Sequence, residues 1–243
     1  KEGDNALITA VKGNRIDVVR YLVENDQIQL NHLNSSGFSA LHIACQNDYV
    51  EIASLLMYSD GIDVNVKSEI NGLTPLHVTV MKNNSQREVI FNDLLNSCNI
   101  DTKIKNDENM TPFFLAAKEG NKEFFIKLMN LPGSSILDVD INGQTPLHSA
   151  VRFNHLEICK LIIEKSLCNE KNGSNEIIDI NQRDNDGWTP LYYAARNGHE
   201  DIVLLLLSLK GIDVNKEDNR QKTPLYFTMN QNVRAILQNH GAI

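Results

Sequence analysis

The stretch Gly187–His199, GWTPLYYAARNGH, carries in thirteen residues a turn, a helix start and a helix stop. Asp186-Gly187 is a tight-turn dipeptide. Thr189 is a good N-cap, and Pro190 at the first helical position loses a hydrogen bond that the helix could not make there anyway. Gly198 tolerates the left-handed backbone that ends a helix. The same order of signals appears at Gly143–His155, GQTPLHSAVRFNH, and in Gly72–His77, GLTPLH.

Working outward, Thr-Pro recurs at Thr74, Thr111, Thr145, Thr189 and Thr223, with gaps of 37, 34, 44 and 34 residues. Ser39-Ala40 lies 35 residues before the first, and Asn5-Ala6 another 34 before that. Each of the seven is followed by an apolar residue: Leu7, Leu41, Leu76, Phe113, Leu147, Leu191 and Leu225. The helices so started reach Asn14, Asp48, Asn83, Gly120, Asn154, Gly198 and Asn232, all residue types that accept a left-handed stop. A second helix follows, marked by apolar pairs at helical spacing such as Val18-Val19 with Leu22-Val23 and Ile202-Val203 with Leu206-Leu207. Extended arms, IDVN at 62–65 and 212–215 and IDIN at 178–181, lead to the next turn. Two short helices cannot enclose a core, so such units must stack on their neighbours.

These motifs resemble the ankyrin repeat, whose run G-x-TPLH-x-A-A-x-x-G-H is matched by the three stretches above. The resemblance covers about Gly3 to Ile243 and implies an all-α ankyrin-repeat solenoid of helix-turn-helix units with β-hairpin fingers. It implies one domain of seven repeats at about 3–36, 37–71, 72–108, 109–142, 143–186, 187–220 and 221–243. It further implies that the turns project as fingers and that the first helices line a concave face. The first unit lacks Thr-Pro, which marks a capping unit or the edge of a longer array. The last unit is shortened between its helices and resembles a closing repeat. Unit three carries extra residues near Asn84 to Arg87, placed in the loop between its helices. Unit five carries an insertion within Ser166 to Ile177, SLCNEKNGSNEI, which reads as a mobile loop after a second helix.

Composition narrows the function. The net charge is −8, from 31 acidic against 23 basic residues, which disfavours nucleic acid and suits a neutral or basic protein surface. No apolar run is long enough to span a membrane. Cys45, Cys98, Cys159 and Cys168 form no CxxC pair, so neither a zinc site nor a disulfide framework is expected, and an intracellular, cytoplasmic setting follows. No nucleophile elbow, HExxH or phosphate loop is present, so no catalytic residue and no cofactor is assigned.

His42, His77 and His148 share one repeat position, but Ile8, Phe114, Tyr192 and Tyr226 at the equivalent places cannot complete a metal site. The imidazoles are read as bonding within their own turn and cap. Asn65, Asn181 and Asn215 in the arms are read as bonding the finger backbone. The finger position holds Phe38, Leu73, Met110, Gln144, Trp188 and Lys222, and is expected in solvent. Large apolar residues there mark either a binding surface or packing between fingers, with Trp188 open to both readings. First-helix residues facing the same side add Gln46, Met81, Lys118, Arg152, Phe153, Arg196 and Asn197. Lys118, Arg152 and Arg196 fall in register and could form a positive stripe towards an acidic segment, or be solvated side chains. The expected function is a monomeric scaffold that binds a protein or peptide through fingers and first helices. The alternative is a targeting or regulatory segment of a larger protein whose activity lies elsewhere.

Overall fold

The computed structural model describes residues 3–25, 27–82 and 84–243. Its described residues form seven successive helix pairs and no strand. The pairs are α1 (Ala6–Lys12) with α2 (Ile16–Val23), α3 (Ala40–Gln46) with α4 (Val50–Met57), and α5 (Pro75–Val80) with α6 (Ser85–Asn96). Next come α7 (Pro112–Glu119) with α8 (Lys122–Met129) and α9 (Pro146–Arg152) with α10 (Leu156–Lys171). The last two are α11 (Pro190–Asn197) with α12 (Glu200–Leu207) and α13 (Pro224–Phe227) with α14 (Gln231–Asn239). None of these helices is long and apolar enough to cross a membrane. The chain forms two compact units, Lys1–Leu115 and Ala116–Ile243.

The helix starts follow the capping chemistry. Asn5, Ser39, Thr74, Thr145 and Thr189 each accept, through the side-chain oxygen, the backbone N–H three residues on. Pro75, Pro112, Pro146, Pro190 and Pro224 are the first helical residues. The stops at Asn14, Asp48, Gly120, Asn154 and Gly198 have φ between +50° and +76°. Asn83 lies outside the described residues. Asn232 is a correction: it falls inside α14, and Asn230 caps that helix by accepting from the Asn232 and Val233 amides. The shortened last unit leaves α13 a single turn that needs no left-handed stop.

In the first unit Leu7, Leu41, Leu76, Val19, Ile52 and Leu56 are buried. In the second, Leu147, Leu191, Ile158, Ile162, Ile202 and Leu206 do the same. Each fully buried aliphatic contributes roughly 1.5–3 kcal/mol, so the stacks are held mainly by such contacts.

The fingers are side-chain-closed loops in which no strand forms. Asn34 Oδ1 accepts from the Ser36 and Phe38 amides, and Asn106, Asp140, Asp184 and Asp218 repeat this at the next fingers. Consecutive fingers are stitched by one backbone bond, Glu69 N–H to Gly37 O in the first unit and Asn185 N–H to Asn142 O in the second. The approach is close enough to demand glycine: a Cβ on Gly37, at φ +73°, would lie 2.9 Å from Glu69 N.

Two insertions depart from the loop expectation. In unit three α6 starts at Ser85, so Arg87 is helical and buried, at 1% exposure. In unit five α10 continues through Lys171, so half of the 166–177 stretch is helix. Ser166 to Lys171 contains no Gly or Pro to stop it. The remainder is a closed turn: Asn169 Nδ2 donates to Glu176 O at 2.8 Å and Ile178 N–H to Ser166 Oγ at 3.0 Å.

Candidate functional site

The three histidines are structural bolts between repeats. In His77, Nδ1 accepts the Thr74 amide at 3.1 Å, while Nε2 lies 3.0 Å from Met110 O. A carbonyl only accepts, so Nε2 carries the proton and Nδ1 is the free acceptor. His42 does the same between the Ser39 amide and Leu73 O, and His148 between the Thr145 amide and the Gln182 and Trp188 carbonyls. The Nδ1 bond stays within the histidine's own cap, as expected, and the Nε2 bond reaches the next repeat. Burial drives His42 and His77 down to about 4 from the ordinary 6.5, and lowers His148 too.

The arm asparagines also reach forward, not to their own finger. Asn65 donates to Asn99 O and accepts the Asp101 amide; Asn181 does so with Gly211 and Asp213, and Asn215 with Gly241 and Ile243. Asn31, which the sequence reading passed over, makes the same clamp on Gly61 and Asp63.

Arg87 is a second structural residue that sequence reasoning missed. Its Nε donates to Asp48 Oδ1 at 2.5 Å, Nη1 to Val78 O at 2.7 Å and Nη2 to Gln46 O at 2.7 Å. It thus supplies donors to the orphan carbonyls that end α3 and α5. His155 and His199 do this for Lys118 O and Arg152 O in the second unit, and Thr228 Oγ1 for Ala195 O.

The expected surface residues divide into two groups. Leu73 and Met110, placed in solvent by the sequence, are buried at 7% and 1% exposure, and Gln144 is buried as well. The finger closes over its neighbouring repeats: the Leu73 and Met110 carbonyls accept from His42 and His77, and Gln144 Nε2 donates to Tyr193 OH. In the first unit Phe38 is half-buried against His42, ring centroids 5.5 Å apart, whereas Gln46 and Met81 are exposed. In the second unit Lys118 is half-buried and Arg152, Phe153, Arg196 and Asn197 are exposed.

Four of these come together in the second unit. Arg152, Trp188, Arg196 and Asn197 line an open recess of about 530 Å³ with Asn142, Gln144, Asp186 and Tyr193. Its lining is mostly polar, with Trp188 and Tyr193 the two aromatic members, and Tyr192 and Phe227 pack behind them. Trp188 stacks on Tyr192 at 4.4 Å and meets Tyr193 edge-on at 5.1 Å, and Phe227 closes on Tyr192 at 5.0 Å. The Arg196 guanidinium lies 4.6 Å above the Trp188 ring, and Arg152 lies 5.6 Å from Phe153 and 5.7 Å from Tyr193. One repeat on, Lys222 covers Tyr226 at 4.2 Å. Below the floor, Tyr193 OH donates to Asp184 Oδ2 at 2.7 Å and accepts from Gln144 Nε2 at 2.7 Å. Burial raises both tyrosine hydroxyls well above their usual range, the neighbouring Asp184 and Asp218 adding to it, so both remain protonated donors. The floor is fixed, and it offers rings and cations but no nucleophile. The Tyr192-Tyr193 pair was the sequence signal for it.

Residues 1–68, 76–175 and 171–242 match the family model for ankyrin repeats, in three copies. The chain belongs to the ankyrin repeat family. This ankyrin chain is 26% identical over 225 residues to the probable 26S proteasome regulatory subunit p28 of Saccharomyces cerevisiae, a match covering 82% of this chain and 97% of that protein. It is 30% identical over 196 residues to the nuclear factor NF-kappa-B p110 subunit of Drosophila melanogaster, covering 80% of this chain but only 19% of p110. Among solved structures, the ankyrin repeat domain of Bcl-3 matches with a TM-score of 0.73 at 24% identity, over 98% of this chain and 100% of that one. The ankyrin fold is thereby shown, all-α and built by stacking.

Proposed function

We propose that this ankyrin chain is a monomeric, intracellular interaction module that binds a protein or peptide on the finger and first-helix side of its second unit. The observation carrying this reading is the recess where Arg152 and Arg196 lie over the rings of Tyr193 and Trp188. Aromatic and arginine side chains presented together are the composition of binding hot spots. The rings are already packed and the cations already placed, so little side-chain freedom is lost when a partner docks. Arg152, Trp188, Arg196 and Asn197 form the centre, Lys118 and Phe153 the flank. Phe38, Gln46 and Met81 are a separate candidate patch in the first unit. The function is binding: the repeated histidines are consumed in holding the stack together, and the recess offers rings and cations. The likeness to a short stretch of p110 supports a second reading, in which the array is the interaction segment of a longer protein.

A pull-down from source-cell lysate tests the surface. The wild type is compared with a Trp188→Ala/Arg152→Glu/Arg196→Glu variant and with a control at exposed Leu204 of α12, Leu204→Ser. Circular dichroism checks that all three are folded. A protein retained by wild type and control but lost by the triple variant is the expected result. Retention unchanged in the triple variant would refute the assignment.

A further inference from the structure

The recess carries two guanidiniums that form no ion pair, with Asp186 the one carboxylate in its lining, on a chain whose net charge is −8. Among the described residues, Arg152 and Arg196 make cation–ring contacts but no ion pair, whereas Lys122 of α8 and Lys160 of α10 are both committed to Glu157. Stacking on a ring uses the flat face of a guanidinium and leaves its in-plane N–H fork open. That fork matches a carboxylate in two parallel hydrogen bonds. Leaving two such forks open and held by Trp188 and Tyr193 is a charge arrangement that awaits an anion.

We infer that the partner presents an extended acidic peptide segment whose carboxylates, about three residues apart, meet Arg152 and Arg196 in turn. The inference rests on the protein-binding reading above and names its chemistry. The two arginines occupy the same position, the last turn, of consecutive first helices, α9 and α11. Packed helices lie roughly 8–10 Å apart. A polyproline-type strand brings every third side chain to one face, at about 3.1 Å per residue or roughly 9 Å per turn. Half-buried Trp188 and the amides of Asn142 and Asn197 then face the spacers between those carboxylates. Asp186 on the finger rim sets the limit of the acidic stretch, favouring a neutral or basic residue beside it. Single-stranded nucleic acid also offers anions and stacking faces, but its continuous charge meets Asp186 and an acidic surface.

Fluorescence anisotropy on the full chain tests this with a labelled peptide of about four Glu-Pro-Ala triplets, the same peptide with Gln for Glu, and an oligouridylate. The chain variants are Arg152→Gln/Arg196→Gln and Arg152→Lys/Arg196→Lys. Both side chains are exposed, and the structural bonds at Arg152 use only its carbonyl, which accepts from Asn197 and His199, so the variants keep their fold. The acidic peptide is expected to bind about tenfold or more tightly than its Gln counterpart and to lose that advantage on the Gln variant, with the Lys variant intermediate. Equal binding of the two peptides, undiminished binding by the Gln variant, or tighter binding of the oligouridylate would each overturn the inference. If the acidic peptide fails while the lysate partner is still lost from the triple variant, the surface stands and only its acidic ligand falls. If neither responds, the surface assignment itself is wrong.

Discussion

At the scale of single residues, the chain shows how one side chain can be fixed in role by its hydrogen-bond partners. Nδ1 of His42 and His77 must be bare and Nε2 protonated, because a backbone amide faces the one and a carbonyl the other. Charging either ring would put a proton on Nδ1 and break the hydrogen bond it accepts from the backbone N–H of Ser39 or Thr74 inside a buried site. The folded state therefore holds both rings neutral down to about pH 4, while the unfolded chain takes up protons below about 6.5. Between those values the unfolded state binds more protons, so this stabilisation is complete above pH 6.5 and is lost as the pH falls towards 4. It is worth about 1.4 kcal/mol per unit of depression for each ring. Urea midpoints measured from pH 7 to 4.5 should fall for the wild type and fall less steeply for His42→Gln/His77→Gln. Parallel curves would show that these rings do not titrate as described. The residue type and position were legible in the sequence as a capping signal. The second bond, to the following repeat, was not, because its acceptor lies more than thirty residues on.

At the scale of elements, the repeated problem is the helix end. First helices end in carbonyls without intrahelical partners, and a donor from the segment after a first helix answers: Arg87 within α6, His155 and His199 just before α10 and α12, and Thr228 between α13 and α14. The residues read as a loop insertion at 84–87 are this answer, lengthening α6 so that a guanidinium reaches Asp48 and the ends of two helices at once. Arg87→Met would leave Asp48 with only its Asn84 Nδ2 donor and take the guanidinium from three carbonyls, and is expected to destabilise the first unit by about 3 kcal/mol, read as a lower urea midpoint. A change under about 0.5 kcal/mol would mean that water replaces the guanidinium at no cost. The same logic governs the fingers. Asp184 binds the Asp186 and Trp188 amides with one oxygen and Tyr193 OH with the other, so the loop that presents Trp188 and the floor it stacks on share one anchor.

At the scale of the whole molecule, stacking within each unit makes a repeat depend on its neighbour, and in the second unit the final pair covers what would otherwise be an open face. Phe227 packs on Tyr192, Thr228 binds Ala195 O, and Asn230 and Asn232 both donate to Glu200. Removing residues 221–243 should expose Tyr192 and Leu191, lower the melting temperature of the second unit by several degrees, and red-shift the emission of Trp188, the sole tryptophan. An unchanged melting curve would show that the seventh pair is dispensable. By itself the sequence determined the repeat, its helix starts and most of its stops, because caps, prolines and left-handed residues act within a few positions of one another. It also identified the arginines and the tryptophan that now line the recess. Only the tertiary structure decided which candidates face solvent, for Leu73 and Met110 lie buried where the fingers close over neighbouring repeats. It alone set Arg152 and Arg196 against ring faces, since burial and stacking depend on residues that the spacing of a motif does not contain.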